Sequence, residues 1–166
     1  MQLYMKQKVF SIKDKFSIQN SLGEDKYYVE GKIISFGKKL RLYNVEGTEL
    51  AFIKQKVFSF LPKFVVEING EDVAIIKKKF SLFKPKYTIV GPNWEVEGDF
   101  FSHDYLISEN GMPIVSIHKK WMSWGDTFEL DIPDENNEVL AMAVVLAIDA
   151  VMDSQANSAS YSSGNN

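Results

Sequence analysis

The stretch Glu138-Val139-Leu140-Ala141-Met142-Ala143-Val144-Val145-Leu146-Ala147-Ile148-Asp149-Ala150-Val151-Met152-Asp153 decides how the rest of the chain is read, because it has no polar face. Large apolar side chains and alanines occupy every side, and a helix of that kind lies either in a membrane or inside protein. Its longest unbroken apolar run, residues 139–148, is ten residues, against about 20 for a bilayer span. The spacing therefore predicts a buried helix over 138–153, with Val139, Leu140, Met142, Val145, Leu146, Ile148, Asp149 and Met152 as its structural core. Asn136 or Asn137 is placed to cap it, and the acidic residues before it suit the positive end of the helix.

What encloses such a helix is written upstream. Lys6-Gln7-Lys8-Val9-Phe10-Ser11 recurs identically as Lys54-Gln55-Lys56-Val57-Phe58-Ser59, with variants at Lys77-Lys78-Lys79-Phe80-Ser81 and His118-Lys119-Lys120-Trp121-Met122-Ser123. An aromatic strand follows each. Val29-Glu30-Gly31 returns as Val96-Glu97-Gly98, and Ile53, Ser59, Phe64 and Ile68 match Ile117, Ser123, Phe128 and Ile132 at a constant offset of 64. Residues 3–68 and 74–132 are thus two copies of one unit, and internal repeats take precedence in reading a fold. Alternation and turn signals give each copy six strands, near 4–12, 15–19, 26–33, 39–45, 49–58 and 63–69, then 73–80, 86–90, 93–99, 104–108, 113–121 and 126–132. Asn69-Gly70 and Asn110-Gly111 read as hairpin turns.

Twelve hairpin-linked strands leave costly edges unless the sheet closes. At ~4.8 Å spacing and ~40° tilt such a barrel has a radius of about 12 Å. A helix about 10 Å wide plus one layer of inward side chains fills it. The expected fold is mainly β: a closed twelve-stranded antiparallel β-barrel from two six-strand repeats, enclosing a hydrophobic C-terminal α-helix. Residues 1–153 form one domain, and the Ser/Asn-rich residues 154–166 read as a disordered tail.

The doubled unit, the lysine-flanked Phe-Ser hairpins and the terminal helix with Ala147-Ile148-Asp149-Ala150 resemble the LURP-one-related (YxjI-like) family. That family belongs to the tubby C-terminal-like superfamily, with the phospholipid scramblases as cousins. The resemblance covers residues 3–153 and implies the same barrel around a central helix. It implies phospholipid as a ligand class, since tubby domains bind phosphoinositides. The chain has no cysteine for palmitoylation and no spanning segment, which argues against scramblase-like transport.

Composition removes other classes of function. With no cysteine there is no disulfide framework, thiolate metal site or thiol nucleophile. With two histidines, His103 and His118, a multi-histidine metal centre is not expected. The acidic run Asp126, Glu129, Asp131, Asp134 and Glu135 lacks the spacing of a calcium loop and reads as a charged strand and a helix cap. His103-Asp104 reads as a surface loop, because neighbours on a strand point to opposite faces. No nucleophile elbow or phosphate-cradling glycine loop accompanies it, so no catalytic residue, cofactor or metal is assigned and no enzyme is expected.

Charge is split along the chain. Residues 1–90 carry 17 Lys+Arg against 9 Asp+Glu, and residues 91–166 carry 2 against 13. Lys6, Lys8, Lys54, Lys56, Lys77, Lys79, Lys84, Lys86, Lys119 and Lys120 are the candidate lipid-binding residues, since alternate positions on a strand share one face and the inner face is apolar. Phe60-Leu61, Leu82-Phe83 and Trp121-Met122-Ser123-Trp124, at or near hairpin tips, are candidates for shallow insertion or for a lid. Asp149 and Asp153 share a helix face near its C-terminus and repel, so Asp149 is expected to act as a lock paired with Arg41, a lysine, or a Tyr or Trp donor. The expected protein is a cytoplasmic monomer, peripheral at an anionic phospholipid surface. The alternative is a scaffold that binds a protein partner and no lipid. Nucleic acid is not expected, because the aromatics sit at core spacing.

Overall fold

The structure, a computed structural model, describes residues 1–6, 15–34, 37–81, 86–100, 102–122 and 125–162. Period-two alternation resolves into twelve strands: β1 (Gln2–Lys6), β2 (Lys15–Asn20), β3 (Asp25–Ile34), β4 (Gly37–Asn44), β5 (Glu49–Gln55), β6 (Lys63–Ile68), β7 (Glu71–Lys79), β8 (Lys86–Val90), β9 (Trp94–Asp99), β10 (Asp104–Glu109), β11 (Met112–Met122) and β12 (Gly125–Asp131). A 3-10 turn, Glu135–Asn137, leads into one helix, α1 (Glu138–Ser162). The strands form a single antiparallel sheet in the order β8-β7-β6-β5-β4-β3-β2-β1-β12-β11-β10-β9. It curls into a nearly closed barrel around α1. The two repeats supply β1–β6 and β7–β12, and they are sewn together where β1 pairs with β12, Leu3 opposite Leu130.

Register puts apolar residues opposite apolar residues on the inner face. Leu40 faces Ile53, Ile53 faces Val66, Phe64 faces Ile76 and Ile76 faces Ile89. On the other side Tyr105 faces Ile117, which faces Leu130. A slip of one residue would turn this whole row outward, so the core specifies the register. Asn69 and Asn110 both adopt positive φ before Gly70 and Gly111, as the hairpin turns require.

Met142, Val145, Leu146, Ile148 and Asp149 of the helix are all buried. Val139, Leu140 and Met152 are half-buried against the same core. Three details differ from the sequence reading. A 3-10 turn precedes the helix proper, and that turn is capped by Asp134, whose side chain accepts from the Asn136 backbone N–H. The helix continues past 153 to Ser162, and Ser154 stays in register by donating its hydroxyl to the Ala150 carbonyl. The fifth strand ends at Gln55, short of the expected 58, while residues 7–12 of the expected first strand lie outside the described residues.

Among the described residues closure stops short at one place. β8 and β9 are joined by residues 91–93, yet they stand at opposite ends of the sheet order and carry no ladder between them. Each is instead pressed onto its far neighbour through a glycine. A Cβ on Gly91 would sit 2.3 Å from the Val73 carbonyl oxygen of β7, and one on Gly98 would sit 2.5 Å from the Asp104 carbonyl oxygen and 2.6 Å from Tyr105 Cα in β10. Gly98 also has φ +134, a region L side chains rarely adopt. Gly98→Ala is therefore expected to cost about 1–3 kcal/mol from the backbone alone. Chemical denaturation should show this as a lowered midpoint with an unchanged slope.

Candidate functional site

In an up-and-down barrel the ends of odd strands and the starts of even strands meet at one rim. Lys6 ends β1, Lys54 nearly ends β5, Lys77 and Lys79 end β7, Lys86 begins β8, and Lys119 and Lys120 lie near the end of β11. Lys56 follows β5 directly. All of these candidates therefore gather at one end of the barrel. Lys8, Lys84 and the Lys6 side chain lie outside the described residues.

Register concentrates them further. Lys32 lies opposite Lys39, Lys39 opposite Lys54, Lys63 opposite Lys77, and Lys79 opposite Lys86. Like charges directly opposite on neighbouring strands destabilise a sheet, and four such pairs recur at this rim. Lys32, Lys39 and Lys63 escape a reading by motif, since they lie outside the repeated Lys-x-Lys pattern. Folding each hairpin on paper and matching its lysines across the turn would find them.

The structure sorts the set by partner. Lys54 Nζ lies 2.6 Å from Glu67 Oε2 and 3.4 Å from Asp72 Oδ1. Lys120 Nζ lies 2.6 Å from Glu129 Oε2. The hydrogen bond to the carboxylate raises each of these ammonium groups above the usual lysine range. Those two are engaged in holding the outer face together. Lys56, Lys79, Lys86 and Lys119 are exposed, and Lys77 is half-buried.

Aromatic rings stand out from the same end. Phe58 and Phe60, between β5 and β6, are 100% exposed, and Phe80, just after β7, is 80% exposed. Val57 is also exposed, whereas Leu61 is half-buried. Leu82, Phe83, Ser123 and Trp124 lie outside the described residues, as do the side chains of Trp121 and Met122. With Phe58 and Phe60 pointing outward, the β5–β6 tip does not fold over the barrel as a lid.

The C-terminal part of α1 leaves the barrel at this rim. Asp149 is 7% exposed, and its partner is His103, whose Nε2 lies 3.4 Å from Asp149 Oδ1. Arg41, one of the expected partners, pairs instead with Glu49 at 2.9 Å. His103 lies in the loop between β9 and β10, as expected, but its side chain is only 20% exposed. It turns inward at φ 50 and stacks on Phe128 with ring centroids 4.4 Å apart. Its sequence neighbour Asp104 binds the other imidazole, His118 Nδ1, at 2.7 Å on the outer face. One turn beyond Asp149, Asp153 pairs with Lys38, an inward lysine at the start of β4. Burial pushes the Asp149 carboxyl up to about 6, with His103 opposing the shift. Burial also raises the Tyr87 hydroxyl to about 12 and the Tyr105 hydroxyl well above its usual value. Among the described residues no group of three or more His, Asp or Glu side chains converges to hold a metal ion, and no helix is long and apolar enough to cross a membrane.

A twelve-stranded barrel wrapped on a hydrophobic C-terminal helix is a tubby-like fold. The chain belongs to the LURP-one-related family, whose pattern it matches over residues 1–149. It is similar to the YxjI protein of Bacillus subtilis, 36% identical over 152 residues, which cover 92% of this chain and 94% of that protein. The X-ray structure of an Arabidopsis thaliana protein shares the fold with TM-score 0.62 at 15% identity, covering 90% of each chain. Neither the family description nor these relatives' names carry an enzyme activity.

Proposed function

We propose that the protein is a non-enzymatic binding module, a cytoplasmic monomer whose basic rim meets an anionic phospholipid surface. The observation that carries this reading is the stacking of lysine directly opposite lysine across β3–β4–β5, β6–β7 and β7–β8. A fold tolerates such repulsion at low cost when an anionic surface neutralises it. Each lysine near an anionic membrane contributes about 1 kcal/mol, so four to six acting together hold a small domain at the surface. Phe58, Phe60 and Phe80 stand among them, placed to enter the headgroup region.

The test is liposome flotation at physiological salt with phosphatidylserine-containing and purely phosphatidylcholine vesicles. Binding is expected only to the former, weakening as salt rises. The Lys63→Glu, Lys77→Glu double variant and the Phe58→Ser, Phe60→Ser double variant should each lower partitioning about tenfold or more. Equal binding to both vesicle types would refute the electrostatic mechanism.

A further inference from the structure

The seam between β8 and β9 is a second feature, reaching the lysine rim at Lys79 and running from there away from the Phe58–Phe60 tip. Among the described residues ten strands are hydrogen-bonded to a neighbour on both sides, while β8 and β9, which lie close together across residues 91–93, share no ladder and keep one edge each outside the hydrogen-bonded sheet. Between them runs a cleft of about 320 Å³, lined by Lys79, Tyr87, Thr88, Trp94, Glu95 and Glu97 among others. Gly91 and Gly98 anchor the two lips to β7 and β10, so the gap belongs to the backbone. Thr88 Oγ1 lies in it, shielded from solvent and without a hydrogen-bond partner among the described residues. A buried hydroxyl left in this way is costly unless something supplies the missing bond.

We infer that the β8–β9 seam receives one extended peptide segment from a partner protein, carrying basic residues at alternate positions and apolar residues between them. Two facing strand edges offer backbone donors and acceptors on both sides, which is the chemistry of strand addition. Side-chain pattern follows from the alternation of the lips. Their inward rows are Tyr87 and Ile89 on β8 and Trp94 and Val96 on β9, which suit apolar residues. Their outward rows are Lys86, Thr88 and Val90 on β8, against Glu95 and Glu97 on β9. Among the described residues no cation pairs with Glu95 or Glu97. A basic residue beside them gains a partner, and Lys86 selects the register by repelling one placed too near the lysine rim. A second copy of this chain is a poor source. Its alternating lysines Lys54–Lys56 and Lys77–Lys79 belong to or abut β5 and β7, and donating these segments would dismantle the barrel.

The probe is a blocked pentapeptide alternating valine and lysine, added to the full chain while backbone amide exchange is followed. Edge amides of β8 and β9 should exchange fast in the free protein and slow by about tenfold or more with peptide. A peptide with glutamate in place of lysine, or with alternate amides N-methylated, should give no protection. The Glu95→Lys, Glu97→Lys double variant should keep its melting behaviour and lose the protection. Slow exchange of these amides in the free monomer would overturn the inference, since the seam would then be closed by itself. Slow exchange that sets in only with protein concentration would also overturn it, assigning the seam to a second copy. Protection elsewhere on the protein, or protection that survives in the double variant, would overturn it as well.

Discussion

Leu146→Asp is expected to leave the protein without a cooperative unfolding transition, while Lys56→Glu melts like the parent. Leu146 is 2% exposed, with Val145 and Ala147 equally buried on either side in α1. Removing its packing costs about 2–5 kcal/mol. The carboxylate put in its place has no partner in an apolar barrel and adds several kcal/mol of desolvation. Together these match or exceed the roughly 5–15 kcal/mol that holds an ordinary domain folded. Lys56 is exposed just beyond β5, where a charge reversal changes stability by about 0.5 kcal/mol or less. Near-UV circular dichroism and thermal melts of both variants check this. A near-parental melt for Leu146→Asp would mean that the barrel does not depend on its helix.

Asp149→Asn is expected to stabilise the protein at neutral pH and leave it unchanged near pH 4. The Asp149 carboxyl titrates at about 6 when folded and at 3.8 when exposed, because burial disfavours the charged form. The folded state therefore binds the proton more tightly. The stability this gives is fully present below about pH 4 and is lost as pH rises through 6. The difference between the two values corresponds to on the order of 3 kcal/mol. His103, Lys38, Asp153, Tyr87 and Tyr105 face or flank this carboxyl, and the first two favour its ionised form. Asparagine keeps the shape without the titration. Urea denaturation of both proteins from pH 4 to pH 8 should show the curves meeting at the acid end, separating between about pH 4 and pH 6, and keeping a constant gap above pH 6. A parent protein that gains stability relative to the variant across that window would contradict the assignment.

Much of this was legible from residues alone, for reasons of period. The inner row of each strand alternates, and α1 is apolar over its whole circumference, so the strand count and the central helix both follow from one-dimensional patterns. The repeat offset located equivalent hairpins even where motifs had drifted. The cap and the helix end were less legible. Asp134, Asn136 and Asn137 all have capping side chains, and the choice among them depends on a 3-10 turn that no pattern announces. His103 reads as a surface-loop residue because adjacent positions on a strand point to opposite faces, which gives it no partner next to it in sequence. Its actual partner lies 46 positions away, where the helix brings Asp149 under the β9–β10 loop.

The amino-acid sequence by itself determined the elements, their number and the apolar face of each, because those depend on which residues recur at spacing two or fill every side of a helix. The tertiary structure alone decided what lies opposite what. Lysine meeting lysine across four strand pairs, Asp149 meeting His103, and the unpaired edges of β8 and β9 all arise from register and closure. Register is set by the fit of the whole core around α1, and no single stretch of chain contains that information.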